Sequence, residues 1–187
     1  MYDTSDLRKG LKILVDGAPY IVIEAQFVKP GKGAAFTRTR MKTLLTGRVI
    51  EQNIRSGEKL VPAAIEDREM QYLYKEGDAF VFMDTTSYEQ MHISKEIVGD
   101  SANFLKDNTN AQVMLFNDRP VGITLPNFVE LRVVKSDPGI RGDTATGASK
   151  PATLETGAVI NVPLFIDEGE VLRIDTRTGQ YVERVSR

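Results

Sequence analysis

Alternating apolar and polar positions run through most of the chain and predict strands. Residues 11–28, "LKILVDGAPYIVIEAQFV", form two β-rich runs around Asp16-Gly17, a dipeptide that favours a hairpin turn. From Phe36 to Thr43 the alternation is strict. Phe36, Arg38, Arg40 and Lys42 share one face, and Thr37, Thr39, Met41 and Thr43 share the other. "GRVIEQNI" adds a strand after Gly47. Several short strands in so little sequence predict a small barrel that closes its own edges.

The middle of the chain opens with "MQYLYKEGDAFVFMD", two aromatic-rich strands around Glu76-Gly77-Asp78. "SKEIVGDSANFLKDN" is the strongest helix candidate, with Ser94 as N-cap and Ile97, Val98, Phe104 and Leu105 on one apolar face. "AQVMLFNDRPVGITLP" gives two more strands about a turn containing Asn117 to Pro120. Strands, one helix, then strands suit a five-stranded barrel of the OB type. In the last third, "FVELRVVKSDPG" is a strand stopped at Asp137-Pro138-Gly139. The stretch 140–157, "IRGDTATGASKPATLETG", reads as one long polar loop. Strands "AVINVPLF", "EVLRIDT" and "RTGQYVERV" follow, enough for a second OB-like barrel.

Charge divides the chain the same way. Residues 1–63 hold 11 Lys/Arg against 6 Asp/Glu, a net of +5; residues 64–127 hold 5 against 11, a net of −6; residues 128–187 hold 8 against 9, a net of −1. A basic first third on an acidic chain points to polyanion contact by that third alone. The aromatics Tyr72, Tyr74, Phe80 and Phe82 lie in the acidic third and read as core rather than as a base-stacking platform. The chain has no cysteine and one histidine, His92, so thiolate chemistry is excluded and no spacing suggests a metal site or a cofactor. No signal-like h-region and no apolar run long enough for a bilayer occurs, and a cytoplasmic protein without membrane contact is expected.

The stretch 29–36, "KPGKGAAF", places Lys32 between two glycines after a proline. Pro30 fixes its own φ and pushes Lys29 toward extended backbone. Gly31 and Gly33 accept φ > 0, so a tight turn with Lys32 at its tip is expected. Phosphate-loop and dinucleotide patterns fail here, because Gln26 stands where the first needs Gly and Phe36 where the second does. No G-x-S-x-G elbow exists. A solvated lysine between glycines is in the wrong environment for a Schiff-base nucleophile. A conventional enzyme is therefore not expected.

These residues resemble the bacterial elongation factor P family along the whole chain. One motif is "KPGKGAAF" followed by the basic strand. The other is Lys150, Ala152, Gly157, Ile160, Val162-Pro163, Ile166 and Gly169, together with Gly142-Asp143-Thr144 in the long loop. The resemblance implies an all-β protein of three small β-barrel domains in an L-shaped arrangement. An SH3-like domain over residues 1–63 would be followed by OB-folds over 64–127 and 128–187. It implies a translation elongation factor that binds both ribosomal subunits beside peptidyl-tRNA and promotes peptide-bond formation at consecutive prolines. Lys32, in a tip loop with Pro30, Gly31 and Gly33, would face the tRNA acceptor end. It would also be the substrate of a lysine-modifying enzyme, as in the related hypusine-bearing factor of eukaryotes and archaea. Lys29, Arg38, Arg40 and Lys42 would meet the tRNA backbone, and Gly142, Asp143 and Thr144 ribosomal or messenger RNA. Tyr181 and Arg184 match residues near the family's C-terminus that either touch RNA or finish a barrel. A monomer is expected. The alternative is an OB-type single-stranded RNA-binding protein acting away from the ribosome, which would show a steep salt dependence on free RNA.

Overall fold

The computed structural model describes residues 1–138 and 148–186. It is built on strands. The first 62 residues contain β1 (Tyr2–Asp3), a 3-10 turn, β2 (Lys12–Val15), β3 (Ala18–Val28), β4 (Phe36–Thr43), β5 (Val49–Arg55) and β6 (Lys59–Pro62). Their sheet order is β1-β6-β2-β3-β4-β5. The Asp16-Gly17 hairpin forms as expected, with Val15 opposite Ala18. Both turn residues have positive φ, 51° and 80°, which matches the twist of the strands they join. Leu11, Ile13, Val22, Met41, Ile54 and Leu60 make the core.

The second sheet holds β7 (Ile65–Glu76), β8 (Ala79–Asp84), β9 (Gln90–Ser94), β10 (Asn110–Phe116) and β11 (Arg119–Thr124), in the order β11-β10-β7-β8-β9. The turn between β10 and β11 is only Asn117-Asp118, both at positive φ, and Pro120 lies in β11. The third sheet holds β12 (Phe128–Ser136), β13 (Ser149–Leu154), β14 (Val159–Pro163), β15 (Val171–Asp175) and β16 (Gln180–Ser186), in the order β14-β13-β12-β15-β16. In both sheets the first strand is central, flanked by the second and third on one side and the fourth and fifth on the other. That shared connectivity is the OB arrangement twice over. By compactness the chain forms two units, Met1–Asp67 with Met114–Gly122, and Arg68–Val113 with Ile123–Arg187.

Three readings of the pattern are corrected. The expected helix after Ser94 is one α-turn, Lys95–Val98, continued as a 3-10 segment, Gly99–Phe104. Gly99 adopts φ 56° and ψ −140°, which ends the α-turn, and the Ser94 side chain makes no cap hydrogen bond. The polar stretch 140–157 is not all loop, because β13 occupies Ser149–Leu154. Its inward positions are Lys150, Ala152 and Leu154, an alternation that a lysine and Pro151 disguise. Pro151 lies beyond the last β13 residue paired to β12 (Ser136 opposite Ala152), so no bond to β12 is lost. Among the aromatics, Tyr72, Phe80 and Phe82 are core, but Tyr74 is 47% exposed. A register shift between Tyr72 and Tyr74 turns it out of the core.

Candidate functional site

The site begins with strand β4. Its exposed residues are Arg38, Arg40 and Lys42; its buried ones are Thr37, Thr39, Met41 and Thr43. The two faces divide as the alternation predicts, with Phe36 half-buried at the end. Threonine suits the inner face because the hydroxyl finds a partner there: fully buried Thr39 donates to the Gln52 carbonyl at 2.6 Å. β3 and β5 flank β4. From Glu24 opposite Arg40 to Val28 opposite Phe36, β3 and β4 run as one ladder toward the tip.

Residues Lys29 to Ala35 close that ladder. Lys29, Gly31, Lys32, Gly33 and Ala34 are exposed, and Pro30 is half-buried. Of the two glycines only Gly33 has positive φ, 105°. A Cβ on Gly33 would sit 3.9 Å from Pro30 Cγ, whereas one on Gly31 would meet nothing within 4 Å. The turn therefore needs glycine at 33 for its backbone, and nothing among the described residues requires it at 31.

The basic face is not uniform. Arg40 lies 3.6 Å from Glu24 on one side and 3.6 Å from Glu51 on the other. Among the described residues, no carboxylate comes within ion-pair distance of Lys29, Lys32, Arg38 or Lys42. Sequence reasoning missed Arg55, which is exposed opposite Phe36 and so shares the basic face close to the tip. The β5 alternation carried that signal, but only the register shows which face it joins. Phe27, 64% exposed on the opposite face, was also missed.

The other predicted contacts fall in the last sheet. Gly142, Asp143 and Thr144 lie outside the described residues. Tyr181 packs half-buried against the core of Leu131, Leu154, Ile166, Leu172 and Ile174. Arg184 reaches Glu170 at 3.2 Å and lies over the Phe165 ring, 5.3 Å from its centroid. Both side chains thus have partners inside the barrel. The signature residues of this region are framework as well: Ala152, Ile160, Val162 and Ile166 are core, and Gly157 and Gly169 turn at φ 89°. Among the described residues no group of three or more His, Cys, Asp or Glu is placed to hold a metal ion. No helix among them is long and apolar enough to cross a membrane.

Three family models match the chain in succession. They are the elongation factor P KOW-like domain over 3–60, the elongation factor P OB domain over 65–123, and the elongation factor P C-terminal domain over 129–184. The chain belongs to the elongation factor P family. It is a translation elongation factor of that family, and its barrels are the family's KOW-like (SH3-like) and OB folds. Elongation factor P of Desulforapulum autotrophicum is 53% identical over 186 residues, covering 100% of both chains. That of Moorella thermoacetica is 57% identical over 184 residues, covering 98% of this chain and 100% of its own. Among solved structures, eukaryotic translation initiation factor 5A from Methanococcus jannaschii matches with a TM-score of 0.54 at 22% identity, over 67% of this chain and 90% of its own, a likeness of fold.

Proposed function

We propose that the factor binds the ribosome beside peptidyl-tRNA and speeds peptide-bond formation at consecutive prolines by holding the tRNA acceptor end in place. Lys32, exposed at the end of the β3–β4 ladder and without an ion-pair partner among the described residues, carries this reading. Three domains serve it, residues 1–63, 64–127 and 128–187, with the tip in the first.

Reach supports the reading. Glu24 to Val28 is five residues of ladder, about 16 Å of strand. An amine on that finger enters a crevice too narrow for a barrel. A modifying enzyme that lengthens Lys32 would extend it further, and the solvated tip is open to one. Charge supports it too. A cation about 4 Å from a phosphate gains roughly 1 kcal/mol in water and more where water is excluded. Lys29, Arg38 and Lys42, with Arg55, offer that charge with no ion-pair partner among the described residues to give up, and Arg40 adds a share. Gly142, Asp143 and Thr144 would meet RNA through backbone N–H groups and hydroxyls.

No catalytic side chain is required. Proline is a poor acceptor because its ring constrains a secondary amine. A hundredfold rescue needs about 2.7 kcal/mol off the barrier. Orientation of bound reactants supplies several kcal/mol, so bracing the tRNA suffices while the ribosome performs the chemistry. The test is cell-free translation of two reporters, one with a proline run and one without. The protein should raise output of the first only, as a monomer in the cytoplasmic fraction. Equal effects on both, or tight salt-sensitive binding to free single-stranded RNA, would contradict the reading.

A further inference from the structure

The outer face of the β3–β4–β5 ladder changes character row by row. Cross-strand register sets three rows near the tip. Farthest from it, Arg40 stands between Glu24 of β3 and Glu51 of β5. In the next, Arg38 stands between Gln26 and Asn53. In the nearest, Phe36 stands between Val28 and Arg55. Residues directly opposite one another share a face, so each row is a strip across the sheet. Gln26, Arg38 and Asn53 are all exposed.

The first two rows treat their arginine differently. Glu24 and Glu51 each lie 3.6 Å from Arg40, so that strip holds two negative charges against one positive. Beside Arg38 the same two positions hold amides, which match Glu and Asp in shape but carry no charge. Opposite charges across strands stabilise a sheet, and the Arg38 strip forgoes that gain. It keeps a net positive charge instead. A polyanion is accepted beside the tip and repelled one row further down.

The amides do more than leave the charge free. Phosphate oxygens only accept hydrogen bonds, and the guanidinium answers them. A ribose 2′-hydroxyl both donates and accepts, and so does a carboxamide. Neighbouring strands lie about 4.8 Å apart, so the two amides flank whatever Arg38 holds. The order amide, guanidinium, amide matches ribose, phosphate, ribose, the repeat of an RNA backbone.

We propose that Gln26 and Asn53 are RNA-selective contacts, which hold the 2′-hydroxyls on either side of a phosphate bound by Arg38, and that the Glu24–Arg40–Glu51 row ends the footprint. This assignment rests on the acceptor-end reading above and makes the sugars of that end what the finger recognises.

The test measures equilibrium binding of the fluorescently labelled full chain to ribosomes holding one of two peptidyl-tRNAs. One is all ribose. The other carries 2′-deoxyribose along the 3′ acceptor strand, with the terminal sugar left as ribose so that the peptidyl ester is unchanged. The parent should bind the ribose form about fivefold tighter or more, the size of at least one neutral hydrogen bond. The double variant Gln26→Ala with Asn53→Ala should bind the ribose form more weakly and lose the discrimination. Because discrimination is a ratio within one protein, it does not depend on the variant's stability. Glu24→Gln with Glu51→Gln should tighten binding to both forms alike. A parent indifferent to the sugar, or a double variant that still discriminates, would overturn the proposal. Unchanged binding in the Glu24 and Glu51 variant would overturn the boundary. A parent that discriminates yet gives no Pro-Pro acceleration would sink the functional reading and leave the sugar contact standing. A parent that does not bind would sink both.

Discussion

Gly33 turns at φ 105° with its missing Cβ directed toward Pro30, 3.9 Å from the proline Cγ, while Gly31 has neither constraint. The two glycines of the tip are therefore there for different reasons. Gly33→Ala forces an L-residue into a left-handed conformation and should cost the free protein about 1–2 kcal/mol. Gly31→Ala should unfold with the parent. If Gly31→Ala still lowers proline-run translation, the space at 31 is needed by a bound partner. Denaturant unfolding of both variants beside the reporter assay separates fold from contact.

Arg38 and Arg40 share a face and differ in their neighbours. Glu24 and Glu51 already offset Arg40. Arg38→Ala should therefore weaken ribosome binding more than Arg40→Ala. It should also reduce the salt slope of binding by about one phosphate contact. Binding measured at several salt concentrations tests this. Equal losses would mean the Arg40 ion pairs break on binding.

The last-barrel signature should behave as framework. Ile166 is fully buried, and Ile166→Ala should cost about 2–5 kcal/mol of stability. Its activity per folded molecule should match the parent. Lys32→Ala should do the reverse. Unfolding curves with activity normalised to folded fraction would show the contrast.

Asp84 is held below the usual carboxylate range by the N–H groups of Ser87 and then Thr86, with Arg68 assisting and burial opposing. Its folded pKa is depressed, so its contribution is present above the unfolded value, about 3.9, and fades as pH falls toward the folded one. Asp84→Asn should be less stable than the parent at neutral pH. The gap should narrow as pH drops below about 4. Chemical unfolding from pH 7 to pH 3 checks the sign. A gap that stays constant would remove Asp84 from the acid response.

What the sequence showed and hid follows physical lines. The faces of β4 were legible because their period is strictly two and the inner residues are apolar or small hydroxyls. The hairpin at Asp16-Gly17 was legible because few residues take positive φ at two successive positions. β13 was hidden by its own chemistry: a lysine at an inward position reads as surface, and Pro151 reads as a break. The helix was overcalled because apolar spacing outweighed Gly99. The turning-out of Tyr74 and the pairing of Arg40 depend on register. A shift between Val22 and Glu24 sets the latter, and local sequence does not encode it. The signature from Lys150 to Gly169 was legible as a resemblance, yet most of it proves to be barrel core and turns. Resemblance marks what is kept and says nothing of why.

The most direct measurement is rapid-quench kinetics of one Pro-Pro bond on ribosomes holding a prolyl-ended peptidyl-tRNA, with parent and Lys32→Ala at saturating concentration. The parent should accelerate the bond on the order of a hundredfold. Lys32→Ala should bind the ribosome yet leave the rate within a fewfold of the factor-free reaction. A Lys32→Ala protein that accelerates the bond as well as the parent would contradict the account.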